Sequence, residues 1–167
     1  NPDDNGATQD GVGYFQRAIH KGRRMSSARA FLHPAKNRKN LEIVTHAQAT
    51  RILFDGKKAV GIEYDQGGVR KQVKAGREVI LSGGVIASAQ LLQISGVGDP
   101  AHLGRIGVET HHALPGVGQN LRDHYAVRMV ARVNVPTINQ KSRGLPLVGE
   151  IARYFTGQPS ILGLCPS

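Results

Sequence analysis

Between residues 41 and 94 the spacing of apolar side chains changes from two to about 3.6, and the change falls on the pair Gly83-Gly84. Before it, runs rich in Leu, Ile, Val, Thr and Phe at 41–45, 49–54, 60–64, 69–73 and 78–82 read as strands. Asp55-Gly56 and Gln66-Gly67-Gly68 are tight-turn signals between such runs, so the segment reads as a β-meander feeding a buried strand over 79–82. After the glycines, Ile86, Ala89, Leu91, Leu92 and Ile94 follow a helical period that stops at Ser95-Gly96-Val97-Gly98. A strand, two glycines and a helix is the order in which many nucleotide-binding folds pass chain over a ligand, because glycine lets the backbone come close.

The flanks are less regular. Residues 1–13 are rich in Asn, Asp and Gly and read as loop. Ser26 or Ser27 caps a short predicted helix through Ala28, Ala30, Phe31, Leu32 and Ala35, interrupted by Pro34 and finished by a basic turn over 36–40. Beyond the glycine-rich stop, Pro100 opens a second short helix through Leu103 and Ile106 with Gly107 as its C-cap candidate. Pro115-Gly116-Val117-Gly118 is a rigid turn, 127–135 alternates like a strand, 136–146 reads as a connection and 147–155 as a helix.

Composition sets limits on what these elements serve. With 167 residues, 40% hydrophobic residues and a mean hydropathy of -0.28, the chain has material for a core and no apolar run of the roughly 18 to 20 residues that span a bilayer. Cys165 is the single cysteine, so an internal disulfide and a cysteine-built zinc site are excluded. The chain opens on Asn1 without a signal-like segment and stops within the apolar run Ile161-Leu162-Gly163-Leu164, which reads as an internal fragment. The net charge of +10 is concentrated: from Arg17 to Lys58 eleven Lys or Arg face only Glu42 and Asp55. Such a cluster suits either a solvated face or an anion-binding module, although Tyr14, Phe15, Phe31 and Phe54 are few aromatics for stacking single-stranded bases.

Several local patterns carry chemistry, each with a plainer counterpart. Gly96, Gly98 and Ala101 fit the spacing GxGxxA, but they follow a helical segment and Pro100 sits inside the spacing, so they read as a helix stop. Adjacent His111 and His112 would point to opposite faces of a strand and share no helical partner, which disfavours a metal site. His124 with Asp123 and Asn120 reads either as an acid–base cluster or as a polar turn capping backbone groups. Ser82 and Ser95 lie beside glycines without a GxSxG elbow.

The run from Gly83 to Gly98 resembles the second signature of the glucose–methanol–choline oxidoreductase family, with Ser88, Leu91, Leu92, Ser95, Gly96, Val97 and Gly98 matching and small residues at Gly84 and Ala87 departing from it. The resemblance continues through the segments 22–32, 40–41, 54–56, 59–61, 114–118, 120–121 and 123–124, and is greatest to the choline dehydrogenase and aliphatic-alcohol dehydrogenase branch. It implies a mixed α/β fold: part of an FAD-binding Rossmann-like domain with a β-meander, plus pieces of a substrate domain built on an antiparallel sheet. Residues 1–40 would end a substrate-domain segment, 41–124 belong to the FAD-binding domain, and 125–167 begin a further substrate-domain segment.

The resemblance also implies FAD as cofactor, with a backbone contact to adenine at Ala49 and close approach to the adenosine half at Gly83. It implies oxidation of choline or an aliphatic alcohol to the aldehyde by hydride transfer to the flavin, assisted by a histidine that lies downstream. No catalytic residue is therefore expected within these 167 residues, and no metal. The implied partners are a small alcohol and an electron acceptor that the chain does not specify, without nucleic acid. The implied setting is the bacterial cytoplasm or a peripheral association with the membrane. The contrasting reading, from the basic cluster alone, is a nucleic-acid or anion-binding module.

Overall fold

The computed structural model describes Asp3, residues 6–8, 10–11, 17–125, Val127 and residues 129–164. Tyr14, Phe15 and Cys165 lie outside the described residues. In chain order the elements are β1 (Ile19–His20), β2 (Arg23–Arg24), a wide helical turn over Ala28–Leu32 continuing into α1 (His33–Ala35), β3 (Ala47–Asp55), β4 (Lys58–Gln66), β5 (Val69–Lys74), α2 (Gly84–Ile94), β6 (Val97–Gly98), α3 (Pro100–Arg105), β7 (His112–Ala113), α4 (Ile138–Lys141), α5 (Gly144–Phe155) and a 3-10 turn over Ile161–Gly163. They form two compact units, residues 44–127 and residues 1–43 with 128–167.

In the unit of residues 44–127 the meander is the antiparallel sheet β3-β4-β5. Its turns are those the sequence demands. Asp55 pairs with Lys58 across Gly56 at φ 54°, and Gln66 pairs with Val69 across Gly67 and Gly68 at 63° and 82°. The Asp65 carboxylate accepts the Gly68 N–H at 3.0 Å and fixes the second turn. In β3 the register shifts between Ala49 and Arg51, a bulge centred on Thr50.

Helix α2 ends where the glycine pattern stops it. Gly96 adopts φ 85°, and its carbonyl accepts the N–H groups of His111 at 2.8 Å and His112 at 3.0 Å. The chain then runs as β6, parallel to β7, with Val97 opposite His112. Asp99 caps α3 through a 2.9 Å bond from the Ala101 N–H, and Gly107 at φ 72° follows its end. The core of this unit sits around that turn: Ile52, Ser95, Val97 and Leu103 are buried, Leu103 completely.

In the other unit, β1 and β2 pair across Lys21 and Gly22, both at positive φ. A Cβ at Gly22 would lie 2.7 Å from the Gly157 carbonyl oxygen, so this hairpin tip lies directly on the turn after α5. The Arg23 guanidinium stands 5.7 Å above the Tyr154 ring. Glu150 on α5 is buried, accepts the Ile161 N–H at 2.9 Å and meets Arg153 at 3.4 Å.

Three expected strands are corrected. Residues 41–45 and 79–82 have no ladder partner among the described residues, and Ile80 is 75% exposed rather than buried. Val127 and residues 129–135 likewise form no strand, with Met129 and Val130 almost wholly exposed, while Arg128 lies outside the described residues. The reason is common to all three: apolar alternation favours a pleated surface, but a strand exists only where a second strand takes up its N–H and C=O groups. Pro34 does not end the first helix: right-handed helical turns run through it to Ala35, and the ladder widens just before it. The expected connection over 136–146 contains α4, started by a capping box between Thr137 and Gln140.

Two outcomes follow for stability. Gly67→Ala forces a left-handed residue in open space and costs about 1 kcal/mol, whereas Gly96→Ala also drives its Cβ to 2.6 Å from the Glu109 carbonyl and costs about 3 kcal/mol, measured as a larger fall in the urea midpoint. The Glu150 carboxyl is held below its ordinary 4.5 by the Ile161 N–H, with Ser160 and Arg153 assisting against the cost of burial. A lowered folded value means the unfolded chain takes up the proton first as pH falls. Its stabilisation is therefore present above about pH 4.5 and lost as pH falls through the lower folded value. Glu150→Gln flattens that acid limb in unfolding midpoints measured from pH 6 to 3.

Candidate functional site

The strand edge of β3 and the flank of α2 face each other in the unit of residues 44–127 and enclose a cleft of about 490 Å³. That volume lies within the roughly 300–1,000 Å³ of small-molecule sites. One wall is Gln48, Ala49 and Thr50 at the bulged start of β3. The other is Ala87, Leu91 and Ile94, which recur on one face of α2, with Ser88 and Gln90 beside them. Residues 80–83 close the cleft next to the helix start. Ala49 and Gly83, the two positions at which cofactor contact is expected, thus line a single cleft.

The local chemistry of each wall follows from its position. β3 is an edge strand, so one side of its backbone is not occupied by the sheet ladder. Thr50, at the bulge, donates its hydroxyl to the Glu63 carboxylate at 3.0 Å, and Gln72 donates to the other oxygen at 3.3 Å. Those two hydrogen bonds, with the Arg70 guanidinium 3.6 Å away, hold the Glu63 carboxyl below the usual range. The charge is spent on bracing the sheet.

Gly83 has φ -77°, which any residue adopts, and a Cβ there would meet Ala87 at an ordinary 3.4 Å. Neither backbone strain nor crowding within the chain requires glycine at this position. No side chain caps the start of α2. Gly84, in contrast, is required by φ 86°.

The cleft is lined by aliphatic groups, small hydroxyls and side-chain amides, and none of its lining residues is an acid, a histidine or a cysteine. It can bind a flat, partly apolar group through backbone and amide contacts. It contains no group that transfers a proton at neutral pH and no activated nucleophile.

The remaining candidate residues serve structure. The His111 ring stacks on Phe54 at 4.5 Å and donates from Nε2 to the Gly56 carbonyl at 2.7 Å, fastening the β3–β4 turn. The Asp123 carboxylate accepts the His124 backbone N–H at 2.7 Å, the polar-turn arrangement. Gly96 and Gly98 form the helix stop and β6, with the Gly98 position packed against Leu103. The basic residues from Arg17 to Lys58 divide between the two units, those up to Lys39 in one and Arg51, Lys57 and Lys58 in the other.

Sequence reasoning missed the bulge at Thr50, which has no composition signal, and the cleft-facing stripe Ala87, Leu91 and Ile94. The stripe's i, i+4, i+7 spacing is a readable signal.

Residues 1–126 match the family model described as GMC oxidoreductase. The chain is 43% identical to an oxygen-dependent choline dehydrogenase of Staphylococcus xylosus over 97% of its own length and 28% of the relative's. It is 46% identical to the Staphylococcus saprophyticus protein of the same name, over 89% of the chain and 27% of that relative. Among solved structures, the formate oxidase of Aspergillus oryzae superposes with a TM-score of 0.74 at 29% identity, covering 87% of this chain and 26% of that one. An FAD-dependent oxidoreductase from Chaetomium thermophilum superposes at 0.66 with 26% identity, over 80% and 24%. The chain therefore spans little more than a quarter of the length of the curated relatives it matches. Its mixed helix and strand architecture, its glycine-bounded helix and the match over residues 1–126 place it in one family: the chain belongs to the GMC oxidoreductases.

Proposed function

We propose that residues 41–124 hold the adenosine half of FAD in an alcohol oxidoreductase that converts choline or an aliphatic alcohol to its aldehyde, with residues 1–40 and 125–167 contributing to a substrate domain. The observation that carries this reading is the meeting of Ala49 and Gly83 in one cleft lined by aliphatic groups, small hydroxyls and side-chain amides. In that reading the Ala49 backbone meets the adenine edge from the free side of β3, and the aliphatic stripe of α2 covers a flat ring. The absence of a side chain at Gly83, which nothing inside the chain requires, leaves room for close approach.

Bound flavin supplies the redox chemistry, accepting hydride from the carbinol carbon. The residues described here bind and orient, and the proton-handling histidine belongs to sequence beyond them. The name carried by the two staphylococcal relatives supports choline as the first substrate to test and oxygen as the first acceptor. A bacterial cytoplasmic enzyme, soluble or resting on the membrane surface, is the setting proposed for it.

The test is made in the full-length protein. Ala49→Val, which leaves the backbone contact intact, retains FAD, whereas Gly83→Val weakens it about tenfold or more, read by flavin fluorescence during reconstitution of the apoprotein. Anaerobic addition of choline bleaches the bound flavin, and aliphatic alcohols are compared in the same assay. Unchanged FAD affinity in Gly83→Val places the cofactor elsewhere, and a flavin that no alcohol reduces rejects the activity.

A further inference from the structure

The two walls of the cleft are tied together by one buried hydroxyl. On the side of β3 away from β4, the Ile52 N–H is taken up by Ser95 Oγ at 2.9 Å. Ser95 stands at the C-terminal end of α2, is 3% exposed, and donates the same hydroxyl to the Leu91 carbonyl at 2.6 Å. Donation to Leu91 fixes the rotor, so a lone pair is presented to Ile52 in one direction only. The hydroxyl thus links a residue three positions after Ala49 on one wall to Leu91 on the other.

The sheet by itself does not fix that spacing. β3 is an edge strand, so its spacing from α2 is set on the side that the ladder to β4 leaves free. Ile52 is 4% exposed, and without an acceptor its N–H would be a buried unpaired donor.

We propose that Ser95 is a positioning residue for the adenosine half of the cofactor. It touches no ligand; it holds β3 at the distance from α2 at which the Ala49 backbone meets the adenine edge. This rests on the placement of FAD proposed above.

The experiment compares full-length apoprotein of four forms: unaltered, Ser95→Ala, Ser95→Thr and Gly83→Val. Each is titrated with FAD, with ADP as competitor, and with FMN, which lacks the adenosine half. Ser95→Ala is expected to weaken FAD and ADP together by about tenfold, the cost of one unsatisfied buried donor, while FMN affinity stays within twofold. Ser95→Thr, which keeps the hydroxyl oxygen, recovers most of the loss. Undiminished FAD and ADP affinity in Ser95→Ala overturns the proposal, as does an equal loss of FMN, which marks a general loss of structure. If Ser95→Ala does not fold, Ser95→Cys is titrated in its place, and the same split between ADP and FMN decides. Gly83→Val separates the two readings: if it leaves FAD affinity unchanged, the placement of the cofactor fails, whereas if it weakens FAD and Ser95→Ala does not, only the role of Ser95 fails.

Discussion

The buried turn from Ser95 to Gly98 is the constraint on which the unit of residues 44–127 depends. Within four residues it ends α2, accepts β7 through the Gly96 carbonyl, runs as β6 and delivers the chain to the cap of α3. Gly96 permits this because only a residue without a Cβ adopts φ 85° with the Glu109 carbonyl so close. Ser95 adds the polar link to β3, and Leu103 fills the space beneath. Helix, meander and the parallel β6–β7 pair are thus fastened at one place, and the cleft lies along the two elements that leave it.

The apolar segments without partners show the limits of what these residues complete by themselves. Ile80, Val85 and Ile86 around the helix start, and Met129, Val130 and Val133 further on, remain largely exposed. Their sequences are those of strands and packed helix faces, and the relatives that match are more than three times longer than this chain. A β-segment buries its backbone polar groups only against another strand, and 79–82 and 129–135 form no ladder among the described residues.

Much of the local structure was legible because it rests on residues with narrow conformational choices. Gly56, Gly67 and Gly68 mark the meander turns, Asp99 and Pro100 the start of α3, and Gly96 and Gly107 the helix ends; each occupies the conformation its chemistry favours. The errors fall where a partner at long range decides. Strand propensity at 41–45, 79–82 and 127–135 carried no information about pairing, and the capping box at Thr137 was concealed in a segment of loop-like composition. Of the candidate site, Ala49 and Gly83 were available from the resemblance alone, while the bulge at Thr50 and the stripe on α2 required the packed unit.

The sequence by itself determined the meander with its turns, the ends of α2 and α3, and the family, since these follow from glycine and proline geometry, apolar period and a long signature read along the chain. Tertiary structure alone decided that Ala49 and Gly83, thirty-four positions apart, border one cleft, and that a serine within the signature is a buried link between its walls. The physical reason is that turns and caps are set by a few neighbouring dihedral angles, whereas the cleft exists only where a strand edge and a helix flank from distant parts of the chain are held at a fixed spacing.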